Sequence, residues 1–130
     1  MSQIAGTGID VIEVDRIERA LTRPATGERF RARVFTPGEV KYCESRGRPR
    51  YQSYAARFAA KEAGMKAIGT GWRRGVTWRD FEVANLPSGK PTLRLHGVAA
   101  EFAAKLGVKN VSLSLTHTAE LGMAHVILES

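Results

Sequence analysis

The segment from Tyr51 to Ile68 constrains the fold more than any other part of the chain, because its apolar residues recur with the period of an α-helix. At roughly 100° per residue, Lys61 projects into the middle of the apolar stripe and Glu62 borders it. A pair of solvated charges would point away from that stripe. The sequence therefore predicts a long helix that carries a charged function on its buried side, with a stripe formed by Tyr54, Phe58, Met65 and Ile68.

The amino-acid composition is that of an ordinary globular protein with more basic than acidic residues. The 130 residues suffice for one domain with a modest core, and 43% of them are hydrophobic against 25% charged. Twenty Lys and Arg residues against 13 Asp and Glu residues give a formal net charge of +7, which favours an anionic partner. Charge alone does not distinguish a nucleic acid, an anionic membrane, a phosphorylated cofactor or an acidic protein.

The amino terminus and the cysteine content indicate the compartment. Cys43 is the one cysteine, so an internal disulfide is excluded, and MSQIAGTGID lacks the basic and then apolar run of a secretory signal. No apolar stretch approaches the roughly 20 residues that a membrane-spanning helix needs. We expect a cytoplasmic protein that does not insert into a membrane.

The first half of the chain combines a strand with helices. Alternation from Ile4 to Val14 predicts a strand with Ile9 and Val11 on one side and Asp10 on the other. DRIERALTRP predicts a helix that ends near Pro24, followed by a loop at ATGE. Thr36-Pro37-Gly38-Glu39 has the pattern of a capping box, which predicts a helix of about ten residues ending near Gly47.

The second half predicts strands around one further helix. Gly69 is well placed to end the long helix in a left-handed conformation. Because no repeat is visible, we expect residues 1–130 to form a single α+β domain with an antiparallel sheet packed on the long helix. The predicted elements are strands at Trp78–Ala84 and Pro91–His96 joined by NLPSGK, a helix at Gly97–Leu106, and a hairpin of Val111–Thr116 with Met123–Leu128.

Two carboxylates stand out chemically. Asp10 lies within an apolar strand, and Glu62 lies beside an apolar stripe. If the long helix packs on the first strand, the two acids converge on one hard cation, and Mg²⁺ binds through one or two carboxylates. The alternative for Asp10 is a structural residue that caps a turn or pairs with an arginine.

Several cations accompany these acids. Lys61 is placed to neutralise phosphate oxygens or to donate a proton to a leaving group, and the alternative is a lysine whose stem covers apolar surface. Arg57 and Lys66, one turn away on either side, extend the cationic cluster. Taken singly, they are equally compatible with solvated charges, with Lys66 in a pair with Glu62.

Other reactive side chains give weaker signals. His117 follows a strand between two threonines, whereas His96 and His125 are interpreted as structural residues, and a zinc site is improbable. Cys43 lies in a capped helix without a residue that would activate it as a nucleophile. The glycines near Gly6 and Gly69 match neither a P-loop nor a dinucleotide-binding fingerprint.

Several motifs occur together in a familiar order. Gly8-Ile9-Asp10-Val11 opens the chain, and FAAKEA followed by Lys66-Ala67 lies in the long helix. FTPGE, SGKP and SLTHT follow the same order along nearly the full length. In these motifs the chain resembles the holo-[acyl-carrier-protein] synthases, the small bacterial branch of the 4′-phosphopantetheinyl transferase superfamily.

The resemblance implies an activity. Enzymes of this family transfer 4′-phosphopantetheine from coenzyme A to a serine of an apo acyl carrier protein and release adenosine 3′,5′-bisphosphate, in fatty acid biosynthesis. By resemblance, Asp10 and Glu62 are the Mg²⁺ ligands and, with Lys61, the catalytic residues. Lys61 would hold phosphate or assist the leaving group, and a metal-activated water or Glu62 would deprotonate the serine.

The resemblance also implies binding surfaces and an assembly. Arg16, Arg19 and Arg23 share one face of the first helix, where an acidic carrier-protein helix is expected to bind. The family forms homotrimers with active sites at subunit boundaries, so a homotrimer is expected here. The residues implied to bind coenzyme A are Arg57, Lys66, Gly89, Lys90, Pro91, His117 and Thr118.

Two positions depart from the family pattern. Gly64 replaces a larger apolar residue, and a glycine in mid-helix costs about 1 kcal/mol relative to alanine. We expect the close approach of another backbone to compensate for this cost. Thr116 replaces a frequent serine and keeps the hydroxyl group.

Two other functions explain part of the pattern. A small basic nucleic-acid-binding domain would use Trp72, Arg73 and Arg74 in TGWRRG as an aromatic and cationic surface, although it leaves Asp10 and Glu62 unexplained. A Mg²⁺-dependent nucleotide hydrolase would release nucleotide without an acceptor serine. Neither a nucleic acid nor a membrane is expected as a partner of the transferase.

Overall fold

The computed structural model describes residues 2–71 and 73–130, and in these ranges the chain forms five helices and five strands. No helix of these residues is long and apolar enough to cross a membrane. The helices are α1 (Val14–Thr22), α2 (Gly27–Val34), α3 (Pro37–Glu44), α4 (Arg50–Ile68) and α5 (Gly97–Lys105), and the strands are β1 (Ile4–Glu13), β2 (Phe81–Asn85), β3 (Pro91–Leu95), β4 (Asn110–His117) and β5 (Leu121–Glu129).

The strands form two antiparallel sheets. The larger one is three-stranded in the order β1-β5-β4, so β1 and β4 are its edges, and β2 pairs with β3 in a separate two-stranded sheet. In the larger sheet Asp10 lies opposite Ala124, which in turn lies opposite Leu115. The predicted α+β class with antiparallel strands is confirmed, although one sheet was expected and two are present.

Helix α4 packs on the inner face of the larger sheet with almost no space between the two backbones. A Cβ atom on Gly8 of β1 would lie 2.0 Å from the carbonyl oxygen of Ala63, and one on Gly6 would lie 2.1 Å from that of Ala67. Because the helix presents alanines and the strand presents glycines, the helix lies directly on the strand. The inner-facing side chains of β1, including Asp10, are therefore held against α4.

The opposite side of α4 faces the smaller sheet through Gly64. The expectation that another backbone approaches Gly64 is wrong: a Cβ atom there would lie 2.8 Å from the Phe81 ring and 3.2 Å from the Leu93 side chain. Phe81 and Leu93 are both buried in the core. The glycine therefore makes room for two large side chains of β2 and β3, which offsets its low helix propensity.

Capping residues and glycines in the sequence predicted most helix ends correctly. Thr36 and Glu39 form the predicted capping box at the start of α3, and Gly69 ends α4 with φ of 80°. The strand predicted from Trp78 begins only at Phe81, because residues Trp78–Asp80 form a 3₁₀ turn that is capped by Asp80 and Thr77.

Helix α2 was not predicted. It lacks a side-chain cap at its start, and only Gly27 and Val34 are buried among its eight residues. Phe30 and Val34, four residues apart, are its only large apolar side chains, and packing of α2 beside α1 supports this short helix.

Replacing Gly8 with alanine is expected to lower the free energy of unfolding by about 1–3 kcal/mol or more, because the new methyl group would overlap a backbone oxygen that cannot move independently. Urea unfolding followed by circular dichroism measures the loss. Gly38→Ala is the control, since nothing lies closer than 3.9 Å to a Cβ atom there. Equal stability of the two variants would contradict the packing described for β1 and α4.

Candidate active site

Asp10 and Lys66 form the first part of a polar cluster between β1 and α4. The side chain of Asp10 is 12% exposed, and its Oδ1 atom lies 2.9 Å from Nζ of Lys66. The same ammonium group donates to the carbonyl oxygen of Ile9 at 3.1 Å. The second carboxylate oxygen of Asp10, Oδ2, is buried and has no hydrogen-bond partner in the protein.

Glu62 completes this cluster from the neighbouring turn of α4. Burial raises the pKa of Glu62 above its ordinary value, and the negative charge of Asp10 raises it further. The positive charges of Lys66 and Arg16 act in the opposite direction. The two carboxyl groups are thus neighbours within one chain, at a position where both are partly removed from water.

Such a pair of acids fits a divalent cation. A buried oxygen without a partner and a carboxyl group with a raised pKa are both costly unless a positive charge joins them. In residues 2–71 and 73–130, no group of three or more His, Cys, Asp or Glu side chains is arranged to hold a metal. Two carboxylates suit Mg²⁺, which fills the rest of its octahedron with water and phosphate oxygens.

The structure does not bring Lys61 to these acids, and its expected position is corrected. Its side chain is fully buried, and Nζ donates to Oε1 of Glu39 at 2.8 Å. Nζ also donates to the carbonyl oxygens of Phe81 and Trp78, at 2.6 Å and 3.3 Å. Lys61 and Glu62 are adjacent in sequence, so they project from α4 about 100° apart and face different neighbours.

A second polar region is a cavity of about 180 Å³ on the other side of α4. Four of the residues expected to bind coenzyme A line it: Arg57, Gly89, Pro91 and His117. Lys90 belongs to the turn between Gly89 and Pro91 without lining the cavity. The hydroxyl group of Thr118 accepts from the backbone amides of Glu120 and Leu121, so it shapes the β4–β5 turn.

Arg57 is the central cation of this cavity. It is 4% exposed, and its Nη2 atom donates to Oδ1 of Asn85 at 2.9 Å. Its guanidinium group lies 3.9 Å from the centre of the Tyr42 ring, and its Nε atom is buried without a partner. A guanidinium group at a cavity wall is suited to an anionic ligand such as a phosphate.

Sequence reasoning missed the two side chains of the cavity that contact Arg57, namely Tyr42 and Asn85. Tyr42 had a usable signal, since it lies one turn after Glu39 on the capped helix and faces the same neighbour. Asn85 lies in the predicted NLPSGK turn, where it also donates to the carbonyl oxygen of Gly89 at 3.2 Å. Neither role is visible without knowing that the two segments meet α4 at Arg57.

The two polar regions lie apart on one chain. Arg57 and Glu62 are separated by about 140° around α4, and the carboxylate pair borders edge strand β1 while His117 ends the opposite edge strand β4. A ligand that contacts both regions of a single chain would have to reach around the helix. The carboxylate pair and the cavity around Arg57 therefore face different sides of one chain.

The three arginines expected to bind a carrier protein are exposed on or just after α1. Arg16 is near enough to lower the pKa of Glu62, and Arg19 forms an exposed ion pair with Asp15 at 3.1 Å. Arg23 lines a groove of about 280 Å³ between α1 and α2. Two further arginines, Arg29 and Arg33, line this groove and were missed because α2 was not predicted.

Two other expectations concern residues outside these regions. Cys43 is buried, and burial raises the pKa of its thiol to about 12, which agrees with the absence of a nucleophilic role. The alternative nucleic-acid surface depends on Trp72, which lies outside the described residues. Arg73 and Arg74 are exposed.

Comparison with known proteins identifies the family. A model of the 4′-phosphopantetheinyl transferase superfamily matches residues 6–124. The chain belongs to this superfamily. It is 66% identical to a holo-[acyl-carrier-protein] synthase of Solibacter usitatus over 127 residues, covering 98% of this chain and 99% of that protein. The predicted resemblance, and with it an enzyme of the phosphopantetheinyl transferase class, is confirmed.

Solved structures of this superfamily share the fold. The holo-[acyl-carrier-protein] synthase of Neisseria meningitidis superposes with a TM-score of 0.85 at 33% identity, covering 98% of this chain and 100% of that one. A holo-(acyl-carrier-protein) synthase of Bacillus anthracis in complex with CoA (3′,5′-ADP) superposes with a TM-score of 0.78 at 38% identity, covering 98% and 97%.

Replacing Glu62 with glutamine is expected to raise the Tm of the metal-free protein by a few degrees at pH 7. Because the pKa of Glu62 is raised in the folded state, the folded protein loses stability as the pH rises through that pKa, and a neutral amide avoids the loss. The gain should vanish below about pH 4, where Glu62 is protonated in both the folded and the unfolded protein.

Thermal unfolding between pH 4 and pH 8, with and without Mg²⁺, measures this effect. Mg²⁺ should raise the Tm of the wild type and change that of Glu62→Gln much less. Glu101→Gln, an exposed change of the same kind on α5, is the control. A Tm gain that does not depend on pH would contradict the proximity of the two acids.

Proposed function

We propose that this phosphopantetheinyl transferase transfers 4′-phosphopantetheine from coenzyme A to a serine of an apo acyl carrier protein, with Mg²⁺ as cofactor, in fatty acid biosynthesis. The observation that carries the proposal is the pairing of Asp10 with Glu62 beside Lys66. Residues 1–130 would act as one transferase domain in the cytoplasm. The family membership supports the reaction class, and the geometry of the pair supports the metal.

The carboxylate pair and Lys66 would surround the reacting diphosphate. Asp10, through the unpaired Oδ2 atom, and Glu62 would hold Mg²⁺, which supplies positive charge to the diphosphate oxygens. Lys66, now bound to Asp10, can turn its flexible ammonium group toward a phosphate oxygen. Glu62 has a raised pKa, which makes its carboxylate a better acceptor for the serine proton.

Bond changes in the transfer are simple. The serine oxygen forms a bond to the phosphorus that bears the pantetheine, and the bond from that phosphorus to the bridging oxygen breaks. Adenosine 3′,5′-bisphosphate leaves with the electron pair of that bond. The residues of this chain contribute position and charge, and they form no covalent intermediate in the proposed reaction.

The cavity around Arg57 would hold the adenosine 3′,5′-bisphosphate part of coenzyme A. Arg57 would offer its guanidinium charge to a phosphate group, and the Tyr42 ring packs against the guanidinium plane. Gly89, with φ of 90°, lets the β2–β3 turn approach a ligand closely. The Bacillus anthracis relative, in complex with CoA (3′,5′-ADP), supports this choice of ligand.

A homotrimer would unite the two halves of the site. The outer face of the larger sheet exposes Ile9 and Val11 by 64% and 50%, beside Met123 and His125. Such an apolar face favours association. Because the carboxylates and the cavity lie at opposite edges of this sheet, a ring of copies would bring the β1 edge of one copy beside the β4 edge of the next.

The acyl carrier protein would bind along α1. Arg16 lies nearest to the carboxylate pair, and Arg23 follows it along the helix into the groove that Arg29 and Arg33 line. These arginines would pair with carboxylates of an acidic helix, which would present its serine near Glu62. Such steering should weaken with salt.

Asp10→Asn and Glu62→Gln are each expected to reduce transfer by roughly 100-fold or more, because each removes a charge that acts on the reacting diphosphate. Mass spectrometry of an apo acyl carrier protein after incubation with coenzyme A and Mg²⁺ detects the added phosphopantetheine. Glu101→Gln should retain the wild-type rate. Modification at the normal rate by either site variant would exclude the proposed metal site.

Val11→Asp is expected to dissociate the trimer into monomers, because it places charge on the exposed apolar face of the sheet. Size-exclusion chromatography with light scattering measures the mass. Leu106→Asp is the control, since Leu106 is 44% exposed and caps the C-terminal end of α5, away from that face. A trimer that persists in Val11→Asp would place the interface elsewhere.

A further inference from the structure

Helices α3 and α4 meet strand β2 in two parallel layers of polar contacts. The inner layer contains Glu39 of α3 and Lys61 of α4, and the outer layer contains Tyr42 of α3 and Arg57 of α4. Glu39 and Tyr42 are three residues apart, and Arg57 and Lys61 are four apart, so each helix presents both residues on one face. The outer layer lines the cavity around Arg57, and the inner layer is fully buried behind it.

The inner layer is saturated with hydrogen bonds although it is fully removed from water. Oε1 of Glu39 accepts from Nζ of Lys61 and from the backbone amide of Thr36, both at 2.8 Å. Oε2 of Glu39 accepts from the backbone amide of Val83 at 2.8 Å. Lys61 adds the bond to the carbonyl oxygen of Phe81, so β2 is held from both sides of the pair.

The outer layer depends on the inner one through two short connections. Asn85, which receives the hydrogen bond of Arg57, is two residues beyond Val83 on the same strand. Arg57 is one helical turn from Lys61 and projects within about 40° of it. A shift of β2 relative to α4 would therefore separate Asn85 from Arg57 and change the shape of the cavity.

Burying the ion pair of Glu39 and Lys61 costs free energy, because both charges are removed from water. Burial lowers the pKa of Lys61, and the nearby charge of Glu39 only partly opposes this effect. Buried ion pairs are often replaceable by apolar residues without loss of stability, so the pair is weak support for a purely stabilising role. The hydrogen bonds of the pair are directional, so they fix the positions of α3, α4 and β2 relative to one another. Apolar contacts would fix these positions less specifically.

We propose that Glu39 and Lys61 are positioning residues for nucleotide binding: they hold β2 against α3 and α4 so that Arg57 and Asn85 form the wall of the cavity. Neither residue touches the carboxylate pair or the substrate. This inference rests on the proposed function for the identity of the ligand. It replaces the role at the leaving group that the sequence suggested for Lys61.

The first test is Glu39→Gln. The amide oxygen of glutamine can replace Oε1 and keep the bonds from Lys61 and Thr36, whereas its NH₂ group then opposes the amide of Val83. We expect the Kd for adenosine 3′,5′-bisphosphate, measured by isothermal titration calorimetry, to rise about tenfold. The KM for coenzyme A should rise similarly, while kcat at saturating coenzyme A should change less than about twofold.

A matched control separates this effect from loss of stability. Val126→Ala removes buried volume from β5, where Val126 lies opposite Gly8 of β1 and Leu113 of β4 in the larger sheet. It should lower the Tm and leave the Kd for adenosine 3′,5′-bisphosphate unchanged. If Val126→Ala weakened binding as much as Glu39→Gln at a similar loss of Tm, the positioning role would be overturned.

The double variant Glu39→Met with Lys61→Met keeps the test decisive if Glu39→Gln does not fold. Replacing both charges together avoids an unpaired buried ion, so this protein should fold and still bind the nucleotide weakly. A folded double variant with wild-type Kd, or failure of both proteins to fold, would overturn the proposal. A wild type that does not bind adenosine 3′,5′-bisphosphate would instead overturn the nucleotide site of the proposed function itself.

Discussion

The contact between β1 and α4 is the constraint on which the rest of the structure depends. Gly6 and Gly8 leave no space for a side chain between the strand and the carbonyl oxygens of the helix. This closeness places Asp10, on the inner face of the strand, beside Glu62 and Lys66 on the helix. A wider separation, of the kind larger side chains impose, would leave the two acids too far apart to share one ion.

The same helix uses its angular positions to keep two kinds of charge apart. Glu62 faces β1 and a like charge, which is unfavourable without a cation and is therefore suited to binding one. Lys61, the preceding residue, faces α3 and β2, where an opposite charge and backbone carbonyls satisfy it. The repulsion between Asp10 and Glu62 is thus confined to their half-buried cluster, whereas Lys61 in the core is paired with Glu39.

The order of the strands decides how the two polar regions relate. Because β5 lies between β1 and β4, the carboxylate pair and the cavity around Arg57 lie toward opposite edges of one sheet. The remaining face of that sheet exposes apolar side chains of β1. In the proposed trimer, this order would bring the carboxylate pair of one copy beside the cavity of the next.

The sequence by itself determined the features that depend on neighbouring residues. It predicted α4 with its left-handed Gly69, the capping box of Thr36 and Glu39, and the side of β1 on which Asp10 lies. It also supplied the motifs that identified the family. Each of these signals operates over a few residues, within the reach of helix period, strand alternation and capping.

Only the tertiary structure decided the partners of the charged groups. Lys61 binds Glu39, 22 residues away, and Arg57 binds Asn85, 28 residues away, and no local pattern connects such positions. Helix α2 likewise depends on packing against α1, since it has only eight residues and no side-chain cap at its start. The surfaces that surround α4 decide that Lys61 enters the core and that Glu62 meets a like charge. Those surfaces exist only once the distant segments have folded together.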